Sequence, residues 1–236
     1  MSADTPQEDA TSGDATPASA APRWFPPREQ ATHVLMVRHG STEHSLEGRF
    51  SGRNDLPLDE RGRGQARAIA HHIVGLGPID AIVSSPLRRA QETALAISVR
   101  TGVPVETHDD LIETEFGEWE GLGIEDVHLK WPDLLAQWLK RADVAPPSGE
   151  SFADVEARAL RGLGQILDAR RGQRVVLVSH VTPIKTLLRL ALGAPLETMF
   201  KFHLDTASLS VVDYYPDGTS SVRTVNNAEH PDPGPM

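Results

Sequence analysis

Side chains of the types that bind and attack phosphate follow three short apolar runs of this sequence. Arg38 and His39 end the first run, Arg89 lies a few residues beyond the second, and His180 follows the third. Guanidinium groups match phosphate oxygens in pairs, so the two arginines with a protonated His180 predict a dianion site. A neutral His39 could attack phosphorus and form a phosphohistidine if a backbone carbonyl holds its other nitrogen. Because guanidinium groups neutralise the phosphate charge, we expect neither a metal ion nor another cofactor.

The leaving oxygen needs a proton, and the candidates lie in the acidic segment 106–126. This segment holds nine Asp or Glu residues with no Lys or Arg between them. Crowded carboxylates hold their protons more tightly, which suits a general acid that works near neutral pH. If the chain is extended here, Glu113 and Glu115 share one side. Their spacing alone does not choose between them.

Short apolar runs alternate with segments of helical period, which is typical of βαβ units and of a parallel sheet covered on both faces. The runs 34–37, 81–83 and 175–178 are suited to buried central strands. Ligands bind outside the carboxyl ends of such strands, so the polar residues that follow the three strands should lie together at one crevice. Helices are predicted after Asp59, from Ser85-Pro86, from Ser151 and after Thr182-Pro183, and a hairpin at the sheet edge is predicted around 216–218.

Composition indicates one domain over residues 31–226, flanked by disordered tails at 1–30 and 227–236. The 236-residue chain has 23 Lys and Arg against 33 Asp and Glu, and its net charge of −10 argues against a nucleic-acid partner. It has no cysteine, which excludes thiol nucleophiles and thiolate metal sites. No apolar stretch approaches the roughly 18 residues that a membrane span needs. The first twenty residues lack Lys and Arg, unlike a secretory signal, so we expect a cytoplasmic location without a membrane partner.

Five segments of the chain, in order, resemble the signatures of the histidine phosphatase superfamily, which includes phosphoglycerate mutases and α-ribazole phosphatases. They are 38–42 with 49–52, 85–93, 113–121, 149–152 and 179–180. The resemblance implies the phosphoglycerate mutase-like α/β fold, a three-layer αβα sandwich with a mostly parallel central sheet and one antiparallel edge strand. It also implies metal-independent chemistry through a phosphohistidine.

The resemblance also implies roles for individual residues. His39 is then the nucleophile, and Glu113 is the proton donor because the family's glutamate stands four residues before the glycine. Arg38, Arg89 and His180 grip the phosphate. Further phosphate contacts are expected from Gly40, Thr42, Ser45, Ser51 and Val181.

Within the superfamily, segments 144–147 and 181–186 are most similar to those of the acid phosphatase half of bifunctional ribonuclease H/acid phosphatase proteins. Ser45 stands where many members have a phosphate-binding asparagine. Val181-Thr182 replace the Gly-Gly of many phosphatases and the Gly-Asn of mutases, which favours hydrolysis.

We therefore expect an acid phosphatase or α-ribazole-phosphatase-like enzyme that hydrolyses small-molecule phosphate monoesters. A mutase that returns the phosphate to its substrate and a non-catalytic module that binds phosphorylated ligands are the alternatives. The sequence does not name the substrate. It also leaves the oligomeric state open, with a homodimer as one option.

Overall fold

A computed structural model describes residues 30–230 of the chain. The predicted tail at 1–30 lies outside the described residues apart from Gln30, and so does the part of the predicted tail at 227–236 beyond His230. The described residues form one six-stranded sheet in the order β3-β2-β4-β1-β5-β6. The strands are β1 (Thr32–Arg38), β2 (Ala81–Ser84), β3 (Val105–Thr107), β4 (Arg174–Ser179), β5 (Leu209–Tyr214) and β6 (Ser220–Asn227).

The sheet is mostly parallel, as predicted. Strands β3, β2, β4 and β1 pair in parallel, whereas β5 pairs antiparallel with both β1 and β6. The predicted hairpin is therefore confirmed, although the strand that runs against the others is the second from the edge. Strand β6 ends at Asn227, one residue beyond the predicted end of the domain.

The described part of the chain has seven α-helices. They are α1 (Glu43–Glu47), α2 (Glu60–Gly75), α3 (Arg88–Thr101), α4 (Ile124–Lys130), α5 (Pro132–Trp138), α6 (Phe152–Ala169) and α7 (Val181–Ala191). Of these, α2, α3, α6 and α7 pack on the two faces of the sheet. Side chains alternate along each strand, so Val34 and Met36 pack toward α6 and α7, whereas Leu35 and Val37 pack toward α2 and α3. The sheet, with helices packed through an apolar layer on each of its faces, is the predicted three-layer αβα sandwich. Within residues 30–230, no helix is long and apolar enough to cross a membrane.

Some predicted helix ends are wrong by a few residues. Helix α3 begins at Arg88 rather than at Ser85-Pro86, because the Ser85 hydroxyl binds the Leu87 N–H (3.3 Å) and a histidine instead of capping the helix. Helix α7 begins earlier than predicted, at Val181. The predicted capping box of α6 is present, since Ser151 Oγ accepts the Asp154 N–H at 3.2 Å and the Asp154 carboxylate accepts the Ser151 N–H at 3.0 Å.

The carboxyl ends of the three central strands lie level with one another. Arg38 of β1 pairs with Ser179 of β4, and Val178 of β4 pairs with Ser84 of β2. The residues that follow these pairs therefore leave the sheet side by side, on the edge where the sequence predicted a crevice.

Candidate active site

The ring of His39 is held by its own neighbouring peptide. Its Nδ1 lies 2.7 Å from the carbonyl oxygen of Gly40, and its backbone N–H donates to Ser179 at 3.0 Å. A carbonyl can only accept, so Nδ1 carries the hydrogen and the lone pair is on Nε2. Burial, followed by the charges of Arg89 and Arg38, lowers the pKa of His39 well below its ordinary value. The ring is therefore a neutral imidazole with a free Nε2 electron pair.

The glycine after His39 is required by close packing. A Cβ atom on Gly40 would lie 2.5 Å from the carbonyl oxygen of Gly62, in the first turn of α2. The N–H of Gly40 donates to Thr93 Oγ1 at 3.1 Å, so it is engaged within the protein. Gly40 thus fixes the turn that carries His39.

Both candidate phosphate-binding arginines are oriented by backbone carbonyls. Arg38 Nη1 donates to Leu204 O at 2.6 Å, while fully buried Arg89 donates to the carbonyl oxygens of Asn54 (2.6 Å) and Gly52 (2.8 Å). In each guanidinium the Nε–H is buried and has no partner among the described residues. Burial lowers the pKa of Arg38 to about 10, so it stays charged at neutral pH. These carbonyls therefore position the two cations, and the Nε–H of each guanidinium remains an unused donor.

His180 lies beside His39, with ring centroids 5.0 Å apart. Its Nε2 lies 2.7 Å from Ser85 Oγ, and its Nδ1 is buried without a partner in the described chain. Burial, followed by the charge of Arg89, lowers the pKa of His180 well below its ordinary value. Burial near the arginines therefore favours the neutral form of the His180 ring, and its protonation beside a bound dianion stays a prediction.

The two candidate acids have different environments. Glu113 is only 4% exposed, and its carboxylate accepts the Thr114 N–H at 2.8 Å and, more distantly, the Thr182 N–H at 3.4 Å. Glu115 is exposed, and its N–H donates to Glu150 at 2.9 Å. The expectation that both glutamates share one side is wrong, because the segment does not form a regular strand and is turned by contacts with Glu150. Burial beside the site singles out Glu113.

Three hydroxyls were expected to contact phosphate, and two of them are occupied within α1. Thr42 Oγ1 accepts the Ser45 N–H at 3.3 Å and Ser45 Oγ accepts the Thr42 N–H at 2.8 Å, which together make the capping box of that helix. Ser51 Oγ is buried and has no partner among residues 30–230. Of the three, Ser51 therefore has the free hydroxyl.

A cavity of about 350 Å³ opens beside this group, and the fully buried side chains of Arg89 and His180 are not among the residues that line it. Arg38, His39, Ser51 and Glu113 form part of its wall, and Val181 and Lys185 of α7 also face it. The rest of the wall is largely aromatic and apolar. Its apolar members are Phe50, Phe116, Trp138, Phe152, Phe200, Ile124, Leu139 and Met199, and its further polar members are Thr42, Ser45, Arg49 and Thr182. A larger depression of about 490 Å³ lies between α2 and α3 and includes neither His39 nor His180.

Sequence reasoning missed two neighbours of the site. Ser85 contacts His180, and the only signal for it was its place directly after a strand. Lys185 is half-buried in the cavity wall, where its Nζ donates to Met199 O at 2.8 Å. Its signal was helical spacing, because it lies one turn after Val181 on α7. In residues 30–230 no cluster of three or more His, Asp or Glu side chains could hold a metal ion.

Comparison with known families agrees with this geometry. A model of the histidine phosphatase superfamily (branch 1) matches residues 34–227. The chain therefore belongs to this superfamily, and the resemblance drawn from its motifs is confirmed.

Individual relatives fall in the same group. The chain is 45% identical over 212 residues to a bifunctional protein of Mycobacterium tuberculosis, a match that covers 90% of this chain but only 58% of that protein. It is 34% identical over 180 residues to phosphoserine phosphatase 1 of Hydrogenobacter thermophilus, covering 76% of this chain and 85% of that one. A mycobacterial glucosyl-3-phosphoglycerate phosphatase, solved with VO3, is 31% identical with a TM-score of 0.76, covering 83% and 99% of the two chains.

Proposed function

We propose that this chain is a phosphomonoesterase that hydrolyses small-molecule phosphate monoesters through a phosphohistidine on His39, without a metal ion. The observation that carries the proposal is the state of His39. Its ring is neutral, its Nδ1–H is held by the Gly40 carbonyl at 2.7 Å, and its Nε2 electron pair is free near Arg38 and fully buried Arg89. The family membership and the phosphatase names of the relatives support the same reaction.

The phosphate would be bound by donors that have no partner among residues 30–230. These are the Nε–H groups of Arg38 and Arg89, the Ser51 hydroxyl and the Nδ1 side of His180. If the Ser85 hydroxyl donates to His180 Nε2, the hydrogen of the neutral ring is on Nδ1 and can bind a phosphate oxygen. A bound dianion would also favour protonation of His180. Thr42, Ser45, Gly40 and Val181 would then act by shaping the loops around the phosphate.

The reaction has two steps. In the first, His39 Nε2 bonds to phosphorus, the phosphorus–oxygen bond of the ester breaks, and the Glu113 carboxyl group gives its proton to the leaving oxygen. In the second, the Glu113 carboxylate takes a proton from water, and the water oxygen attacks phosphorus. The bond between phosphorus and His39 Nε2 breaks, its electron pair returns to Nε2, inorganic phosphate leaves, and the Glu113 carboxyl group is protonated again.

The alcohol part of the substrate would lie against the aromatic side of the cavity. Trp138, Phe152 and Phe116 are buried there, whereas Phe200 is exposed at the rim. Such a wall offers few partners to hydroxyl groups of a substrate, but contact with a flat apolar group of the substrate is favourable. Lys185 is the one amine in this wall. We propose monoesters of apolar, preferably aromatic alcohols as the substrate class.

The pKa shifts of the two histidines support activity at acidic pH. Because burial lowers both pKa values well below 6.5, acidification to that value leaves the His39 nucleophile unprotonated. This behaviour fits the acid phosphatase class that the sequence motifs suggested.

The His39→Ala variant tests the proposal. We expect it to lose at least about a thousandfold in phosphate release from p-nitrophenyl phosphate, because alanine removes the Nε2 atom that would accept the phosphoryl group. His72, which stacks on His230 at 4.5 Å outside the cavity, provides the matched control, and His72→Ala should keep its activity. Retention of more than a tenth of wild-type activity by His39→Ala would refute the nucleophile assignment.

The two alternatives give different readouts in the same assay. A mutase forms an isomer of its substrate faster than it releases inorganic phosphate. A binding module shows phosphate-competitive ligand binding without turnover. The buried Glu113 favours hydrolysis over pure binding, because a binding module does not need a proton donor.

A further inference from the structure

A buried arginine on α6 holds the chain segment that leads to Glu113. Arg158 is 8% exposed, and its Nη1 donates to the carbonyl oxygens of Asp110 at 2.9 Å and Ile112 at 2.5 Å. Its Nη2 donates to the carbonyl oxygen of Glu113 itself at 3.1 Å. One rigid guanidinium therefore binds three carbonyls within four consecutive residues.

The guanidinium of Arg158 is itself fixed by Glu150. Arg158 Nε and Nη2 donate to the two oxygens of the Glu150 carboxylate at 3.0 and 3.2 Å. Burial raises the pKa of Glu150, but hydrogen bonds from Arg158, Glu115 and Arg53 outweigh it, and the net pKa is lowered. The carboxylate is thus ionised at neutral pH, and the pair is a two-point ionic contact in a mostly buried setting.

Glu150 also binds the chain just beyond Glu113. Its carboxylate accepts the Glu115 N–H at 2.9 Å, and its own N–H donates to Glu115 O at 2.8 Å. Glu113 is therefore held on its N-terminal side and at its own carbonyl by Arg158, and on its C-terminal side by Glu150. Glu113 is not in a helix or strand, so these contacts replace the fixed geometry that a regular element would supply.

The close approach of α6 makes this contact possible. Gly162 lies one turn beyond Arg158, and a Cβ there would be 2.9 Å from Asp110 Cβ and 3.2 Å from His108 Cε1. The missing side chain lets the helix lie directly against the turn at 109–111. Arg158 can then reach the carbonyls with its whole guanidinium.

We propose that Arg158, locked by Glu150, is a positioning residue that sets where the Glu113 carboxyl group meets the leaving oxygen. Neither side chain touches the substrate in this proposal, so neither is catalytic. It rests on the proposed phosphatase reaction, with Glu113 as the acid. Its energetic basis is the sensitivity of proton transfer to geometry, since a displacement of about 1 Å can cost about a hundredfold in rate.

The leaving group distinguishes positioning from a general structural role. p-Nitrophenolate is a stable anion and leaves with little help from an acid, whereas an alkoxide such as butoxide needs a proton as the bond breaks. A displaced Glu113 therefore slows hydrolysis of n-butyl phosphate much more than that of p-nitrophenyl phosphate. Loss of folded protein or of phosphate binding lowers both rates by the same factor.

The experiment compares kcat/KM for the two esters in wild type, Arg158→Lys and Arg158→Met. We expect losses of about 10- to 100-fold on n-butyl phosphate and of no more than about threefold on p-nitrophenyl phosphate. Lysine keeps the charge but lacks the fork, so it should not restore the butyl activity. Equal losses on the two esters, or an unchanged rate with n-butyl phosphate, would overturn the proposal.

Arg161 provides the matched control. It lies on the same helix and is exposed, and its guanidinium binds only the side-chain carboxylate of Asp110, at 2.5 and 3.0 Å. Arg161→Met should stay within about twofold of wild type on both esters, because the loss of an exposed ion pair changes little. A selective loss on n-butyl phosphate in this control would also overturn the proposal.

The proposal can still be tested if a variant does not fold. If Arg158→Met fails to fold, Glu150→Gln frees the guanidinium without deleting it and gives the same comparison of the two esters. Failure of the proposed function has a different signature, because wild type would then hydrolyse neither ester. If wild type hydrolyses both and the ratio does not change in Arg158→Lys and Glu150→Gln, only the positioning role is excluded.

Discussion

His180 Nε2 lies 2.7 Å from Ser85 Oγ, so a residue at the end of β4 is fixed by one at the end of the neighbouring strand β2. The Ser85 hydroxyl also accepts the Leu87 N–H at 3.3 Å, which leaves its own hydrogen free for the ring. This bond sets both the rotation of the imidazole and the nitrogen that carries its hydrogen.

Ser85→Ala should therefore weaken phosphate binding through His180, although Ser85 itself does not contact the phosphate. Losing one hydrogen bond of about 1.4 kcal/mol corresponds to about a tenfold decrease in kcat/KM. The change should add little in a His180→Ala background, because the two residues act as one unit. Steady-state kinetics on the two single variants and the double variant measure this, and fully additive losses would contradict it.

Glu113→Gln should be far more damaging than Glu115→Gln. Removal of a general acid costs about 100- to 10,000-fold where the leaving group needs a proton. Glu113 is buried beside the cavity, whereas Glu115 is exposed, so the second variant is the natural control. Hydrolysis of n-butyl phosphate by the two purified variants decides the assignment. A larger loss in Glu115→Gln would transfer the role to that residue.

Acidification should destabilise the fold through the two buried histidines. Their pKa values are lowered well below 6.5 in the folded protein, so the unfolded chain binds protons that the folded chain does not. The free energy of unfolding therefore decreases as pH falls below about 6.5, until the folded pKa values are reached. Urea denaturation between pH 7.5 and 5 should show a shallower pH slope in His39→Gln/His180→Gln than in wild type. Identical slopes would contradict this.

Chelators should leave the activity unchanged. Two guanidinium groups already supply positive charge where charge develops on the phosphoryl oxygens, which is the role a metal ion would otherwise have. Dialysis against EDTA, followed by assay with and without added Mg²⁺, checks this. A loss that Mg²⁺ restores would show that the arginines are insufficient.

The position of the residues that follow the central strands was predictable from the sequence. Buried parallel strands are short continuous apolar runs, and their carboxyl ends meet at one edge of the sheet. That pattern alone predicts that Arg38, His39 and His180 lie close together. The environment of Glu113 was not predictable, since it depends on Arg158 of α6, whose contacts with this segment span 45 to 48 residues. The lowered pKa of His180 was not predictable for a related reason. Complete burial next to Arg89 is a property of the packed sheet, not of the local sequence.

The central place of β4 also fixes the order in which the site can form. Strands β1 and β2 are synthesised early, but both pair with β4, which lies between them, so neither can form these hydrogen bonds until residues 174–179 are made. A nascent chain that ends before β4 already contains His39, Arg38 and Arg89, yet it lacks the strand that sets them level. Pairing of such distant segments is slow and comes late in folding. His39 is thus made long before its surroundings are complete, and the proposed phosphate site forms only when β4 joins β1 and β2.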